Sequence, residues 1–143
     1  MDALVGLVRA LVPVTLALHV RIPGHHPSVA VLGDERMGSA ALVDPQGVLL
    51  TVNYVVMGGR EIVATFADGR RFKAEIVAQD FESGIAALSI PVRDLPAATL
   101  GDSRHLAVGQ EVFVLAGTGP TVRRVGTGVI TDLGPFDAYW EYM

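Results

Sequence analysis

Cysteine is missing from this chain altogether. That removes disulfides, thiol nucleophiles and thiolate metal sites from consideration. Charge is sparse as well: 18% of residues are charged, and 11 basic residues face 15 acidic ones for a net charge of -4. No basic patch of the kind that grips a phosphate backbone is present, so nucleic acid is not an expected partner. Aromatic residues are few, and four of the nine (Phe136, Tyr139, Trp140 and Tyr142) crowd into the last eight positions. Long apolar runs are lacking too. The first twelve residues are apolar, but Asp2 stands where a signal peptide carries basic residues, Arg9 interrupts the run and Pro13 ends it. This is far short of the ~20 apolar residues that a membrane-spanning helix needs. The chain therefore reads as soluble, with no membrane span and no leader.

What is present is a core-forming chain. Half of its 143 residues are hydrophobic, enough for a domain of ordinary size. Asp2 can cap a short helix whose apolar positions Leu4, Leu7, Val8 and Leu11 share one face, and Pro13 stops it. From Val14 to Ile22 the pattern switches to strict alternation. Val14, Leu16, Leu18, Val20 and Ile22 point one way; Thr15, Ala17, His19 and Arg21 point the other, as in a half-buried strand. Pro23-Gly24-His25-His26-Pro27 reads as a loop and Ser28 to Leu32 as a brief strand. Ala41-Leu42-Val43 and Val48-Leu49-Leu50 are strand-length runs around Asp44-Pro45-Gln46-Gly47, a turn with Asp first, Pro second and Gly fourth. Met57-Gly58-Gly59 is another turn. Glu61 to Phe66 and Arg71 to Ala78 then flank an Asp68-Gly69 hairpin signal, with Phe72, Ala74, Ile76 and Ala78 on one face. Many short strands at this spacing predict an all-β barrel or sandwich.

Several motifs, in order, resemble HtrA/Deg-type, trypsin-like serine proteases. They are Gly38-Ser39-Ala40, Asp44-Pro45-Gln46-Gly47 and Thr51-Val52-Asn53-Tyr54-Val55-Val56, then the hairpin Phe66 to Val77 and Asp80-Phe81-Glu82-Ser83-Gly84-Ile85-Ala86-Ala87-Leu88-Ser89-Ile90. Leu95 to Ser103, Val108 to Gly117 and Thr121 to Gly134 continue the likeness, which spans roughly residues 13 to 134. The resemblance implies a chymotrypsin-type fold. A helix over 1–12 would precede a first six-stranded β-barrel over 13–103, and 104–143 would hold the opening strands of an incomplete second barrel and the aromatic tail.

Two departures from the family pattern matter most. The family's catalytic histidine falls on Tyr54, and its orienting aspartate falls on Gly84. An imidazole, with an ordinary pKa of about 6.5, can take a serine's proton and return it to the leaving group. A phenol, ordinarily near 10, keeps its own proton at neutral pH. Glycine has no side chain with which to hold a histidine tautomer. Asp80 and Glu82 lie close by in sequence but at other places in the pattern, as turn residues. The family's nucleophile motif, Gly-Asn-Ser-Gly-Gly, is not among the 143 residues, and Ser28, Ser39, Ser83, Ser89 and Ser103 sit in no comparable context. No catalytic residue is therefore assigned: Tyr54 and Gly84 are degenerate triad positions, and Tyr54 is expected to fill the vacated base pocket.

Other suggestive residues read as structural. Ser103-Arg104-His105 is a surface turn capped by Asp102; His25-His26 is a solvated loop lacking a third metal ligand; His19 lies on the polar face of its strand. Gly117-Thr118-Gly119-Pro120 lacks the Lys and the helix of a phosphate-binding loop. No cofactor and no metal are expected. The resemblance implies a protease homologue without activity that works by binding protein or peptide, with homo-oligomers forming through unpaired second-barrel strands. The alternative is the front portion of a longer serine endopeptidase acting in protein quality control. The family is often periplasmic or membrane-anchored and associated with PDZ domains; the residues themselves do not say which compartment this chain occupies.

Overall fold

The computed structural model describes residues 2–135. The aromatic-tail residues Phe136, Tyr139, Trp140 and Tyr142 lie outside the described residues. Helix α1 (Asp2–Leu11) runs into a 3-10 turn at Val12–Val14, where Pro13 breaks the α-helical ladder. The Thr15 hydroxyl donates to the Leu11 carbonyl at 2.8 Å and closes the helix end.

Six antiparallel strands follow: β1 (Thr15–Arg21), β2 (Glu35–Asp44), β3 (Val48–Val52), β4 (Glu61–Thr65), β5 (Arg71–Asp80) and β6 (Ile85–Ser89). They close into a barrel in the order β1-β2-β3-β6-β5-β4, with β4 returning to β1. Closure leaves no free edge in this sheet. Alternation explains the filling. Leu16, Leu18 and Val20 of β1 meet Leu42 of β2, Leu49 of β3, Ala64 of β4 and Leu88 of β6 inside. In register, Leu49 stands opposite both Leu42 and Leu88. Phe66 plugs the barrel beside β4, its ring edge-on to Phe72 at 5.9 Å. Each such side chain contributes about 1.5–3 kcal/mol when fully buried.

The turns have the expected chemistry. The Asp44 carboxylate accepts from the Gln46 N–H at 2.8 Å, and Gly47 adopts φ +96°. The latter is more than a conformational preference. A Cβ on Gly47 would lie 2.2 Å from the Ile90 carbonyl oxygen.

Three local expectations are corrected. Residues Ser28 to Leu32 do not form a strand. They form a helical turn, α2 (Val29–Leu32), with the Leu32 N–H donating to the Ser28 carbonyl at 2.8 Å. Alternation along β5 fails at Val77, where a bulge against β6 shifts the register; Ala78 is exposed as a result, and Val77 is 63% exposed. The outward face of β1 is not solvated throughout, because Thr15 and Ala17 are buried.

What covers them is a second sheet, the hairpin of β7 (Glu111–Gly117) and β8 (Arg123–Val129). Gly117 lies so close to Ala17 that a Cβ there would stand 3.1 Å from the Ala17 backbone. Its N–H donates to the Ser39 hydroxyl at 2.8 Å. Arg123 reaches past the hairpin turn and donates to the Thr15 and Thr65 carbonyls at 3.0 and 2.8 Å. Among the described residues, β8 has a partner on one side only.

Candidate active site

At the end of β3 the chain enters a single helical turn, α3 (Asn53–Val56). Four contacts set its position. Gly38 of β2 leaves room for Val55, whose methyls would lie 2.8 Å from any Cβ at that position. The Thr51 hydroxyl donates to the Ser39 carbonyl at 2.8 Å. Asn53, wholly buried, donates its backbone N–H to the Gly84 carbonyl at 2.8 Å and its side-chain amide to the Asp80 carbonyl at 2.9 Å. Arg36, also buried, donates to the carbonyls of Tyr54 (2.9 Å) and Met57 (3.0 Å) and to the Ser28 hydroxyl. Burial lowers the Arg36 pKa from its usual value, because desolvation disfavours the charged form.

The segment 80–84 is a tight turn. The Asp80 carboxylate accepts from the Ser83 hydroxyl (2.9 Å) and the Glu82 N–H (3.0 Å), which holds its pKa below the ordinary carboxylate range. The Gly84 N–H donates back to the Asp80 carbonyl at 2.9 Å, and Gly84 takes φ +79°. Nothing stands within 4 Å of where a Gly84 Cβ would be. The fold thus brings Tyr54 and Gly84 to one place, joined through Asn53. Tyr54 is 45% exposed, and its hydroxyl has no hydrogen-bond partner among the described residues. It does not fill a closed pocket; it stands out from the surface on α3. Chemically the pair offers a phenol and an open space.

The remaining candidates are scattered. His19 pairs with Glu35 at 3.8 Å on the barrel surface, and His105 pairs with Asp102 at 3.7 Å in the 3-10 turn Ser103–His105. Asp102 caps that turn by accepting from the Arg104 N–H at 2.9 Å. His26 departs from the solvated reading. It is half-buried, its Nδ1 shares a 2.7 Å hydrogen bond with the Ser28 hydroxyl, and its ring packs where a Gly58 Cβ would lie. No group of three or more metal-ligating side chains occurs among the described residues. Arg36, Asn53, Ser39 and Arg123 carry the local architecture, yet none is conspicuous in the sequence. Gly38-Ser39, Asn53 and Arg123 fall within stretches of the family likeness, whereas Arg36 does not.

A closed six-stranded barrel, a helical turn after its third strand and a second-sheet hairpin against its flank define the frame of a trypsin-like peptidase. The trypsin-like peptidase domain pattern matches residues 38–142. A probable periplasmic serine endoprotease, DegP-like, from Pseudomonas savastanoi pv. phaseolicola is 33% identical over 129 residues, covering 85% of this chain and 27% of that protein. Its counterpart in Halomonas elongata is 35% identical over 110 residues, covering 75% and 23%. Among solved structures, the HtrA-type protease AlgW with tripeptide superposes with a TM-score of 0.75 at 28% identity, over 87% of this chain and 38% of that one. The chain belongs to the HtrA-type trypsin-like serine proteases. It spans about a quarter of the length of these curated relatives. No helix among the described residues is long and apolar enough to cross a membrane.

Proposed function

We propose that this chain is a catalytically inactive HtrA-like protease homologue, a pseudoprotease, that acts by binding protein or peptide. The reading rests on the resemblance, which sets Tyr54 and Gly84 at the family's base and carboxylate positions; the observation that supports it is that nothing among the described residues lies within 4 Å of where a Gly84 Cβ would be. Loss of the base alone costs an active serine protease on the order of 10⁶-fold in kcat. The binding element is the outer edge of β8. Its backbone groups, unpaired among the described residues, suit an extended peptide or the same edge of a second copy, which would make a homodimer.

The test is hydrolysis of fluorogenic peptides together with labelling by a fluorophosphonate, which reacts only with an activated serine. Background turnover and no labelling are expected. Turnover abolished by the fluorophosphonate would overturn the proposal. Proline substitution at Val125 and Thr127 is expected to abolish capture of extended peptides, since it removes the backbone donors needed for strand addition.

A second reading, the front portion of a longer HtrA-like endopeptidase acting in protein quality control, is favoured by the quarter-length match to the relatives. The discriminating material is the complete gene product. Labelling of a serine outside these 143 residues would favour this reading over the first.

A further inference from the structure

The outer face of β1 and β4 is furrowed. Alternation turns Ala17, His19 and Arg21 of β1 away from the core, and the register sets Thr65, Val63 and Glu61 of β4 beside them. Arg71 and Lys73 of β5 continue two of these rows, opposite Thr65 and Val63. Three depressions of about 300, 170 and 390 Å³ follow one another along this face. The first two share His19 and Val63, and the last two share Arg21 and Glu61, so together they form one groove. It begins under the hairpin turn at Gly117 to Pro120 and ends between Pro23 and Arg60, where the Arg60 N–H donates to the Arg21 carbonyl at 2.9 Å. The hairpin meets the groove at its turn; the open end of the hairpin, where the chain leaves β8, lies beside α1.

The two ends differ in chemistry. Beneath the hairpin turn the walls include Ala17, Val63, Pro120 and Met37, the last 64% exposed. Arg21, Arg60 and Lys73 gather at the far end, with Arg71 between. Against these four cations a single carboxylate, Glu61, lines the groove, in a chain whose net charge is -4. Glu75 follows Lys73 along β5 but lines none of the three depressions. Arg60, Arg71 and Lys73 are exposed and pair with no carboxylate among the described residues. Arg21 shares Glu35 with His19 at 3.6 and 3.8 Å, an exposed cluster that contributes little and is readily exchanged.

We propose that this groove receives an extended acidic segment of a partner protein. Its carboxylates meet Arg21, Arg60 and Lys73, and an aliphatic side chain fills the slot beneath the hairpin turn. From Ala17 to Arg21 β1 advances about 13 Å, a span that an extended peptide covers with as many residues. Charge complementarity selects the acidic end and steers the encounter. A nucleic acid strand suits the groove less well, because one end is apolar and no aromatic side chain lines it to stack a base. Binding here requires neither the β8 edge nor the loss of a catalytic base.

The test titrates the 143-residue chain into a short fluorescein-labelled peptide that carries a leucine three positions before a run of glutamates, followed by anisotropy. Saturable binding with Kd below about 1 mM is expected at low salt, weakening about tenfold as salt rises past physiological strength. Arg60→Gln and Lys73→Gln should each weaken it about threefold. Met37→Gln should weaken it by a similar factor that salt does not alter, since about one buried methylene or two is lost. All three side chains are exposed, so these variants should keep the parent's Tm. Arg104→Gln, 86% exposed in the Ser103–His105 turn, should change nothing. Proline at Val125 and Thr127 should also leave this binding intact, so capture at the β8 edge and at this groove succeed or fail separately. Equal binding of a peptide with glutamine in place of every glutamate would overturn the proposal. So would an affinity that Arg60→Gln and Lys73→Gln leave unmoved, no saturation below about 1 mM, or an oligonucleotide or anionic vesicle that binds more tightly and is weakened by the same variants.

Discussion

Arg36 is the most consequential side chain beneath the candidate site, and its replacement by Met is the most informative perturbation. The guanidinium is buried, has no carboxylate partner among the described residues, and bonds two carbonyls of the α3 turn and the Ser28 hydroxyl. Two effects oppose each other. Desolvating a cation costs several kcal/mol, so an apolar replacement of a buried charge can be neutral or even stabilising. Against this, Met would orphan the Tyr54 and Met57 carbonyls, each costing about 1–3 kcal/mol if left buried without a donor. The second effect should win, since three charge-assisted bonds offset the cation's burial, although its Nε has no partner among the described residues, and its charge is spread over a planar group. Arg36→Met should destabilise by about 3 kcal/mol, which lowers Tm by about 10 °C in a chain of this size. Amide exchange should accelerate most at Met57, whose N–H bonds the Asn53 carbonyl at 2.7 Å and closes the turn. Arg36→Ala should cost still more, through lost packing. An Arg36→Met protein as stable as the parent, with exchange at Met57 unchanged, would refute the argument and show the buried cation to be a net liability.

Other expectations follow from particular contacts. Arg123→Ala should release the hairpin but not the barrel: exchange protection falls across β7 and β8, while barrel amides lose little and global stability drops by about 2 kcal/mol. Gly47→Ala should destabilise by at least 3 kcal/mol in urea denaturation, because its Cβ would collide with the Ile90 carbonyl as well as opposing φ +96°. Gly84→Ala should cost only about 1 kcal/mol, the left-handed backbone alone, since the space there is open. Stability should decline on acidification. Asp68, Asp80 and Asp102 all have folded-state pKa values below the ordinary one, through hydrogen bonds to Arg70, Ser83 and Arg104. The unfolded chain then binds more protons, and stability present at neutral pH is lost as pH falls through the carboxylate range. In Tm-versus-pH profiles Asp80→Asn should flatten part of that slope while keeping an acceptor for the Glu82 N–H.

The parts of the fold that follow local rules were legible in the residues. Alternation from Val14 to Ile22 identifies β1 and its inward face. Asp44-Pro45-Gln46-Gly47 and Asp68-Gly69 identify two hairpins, because turn geometry is decided within four residues. The residues at positions 54 and 84, a tyrosine and a glycine, are equally plain in the sequence. Ser28 to Leu32 misleads, because a five-residue apolar run suits a strand or a helical turn equally. There the buried Ser28 side chain is held by its near neighbour His26 and by the buried Arg36 of β2, a contact that no local pattern announces.

Residue types alone determined the strand-rich class and the turn positions. Those follow from side-chain chemistry and a period of two, which operate between near neighbours. Only the folded chain decided that Asn53 would tie Gly84 to α3, that Arg36 would brace that turn from below, that a bulge at Val77 would expose Ala78, and that Ser39 and Arg123 would clamp a second sheet to the first. Each of these joins groups brought together by barrel closure and strand register, and a hydrogen bond between distant residues leaves no periodic trace along the chain.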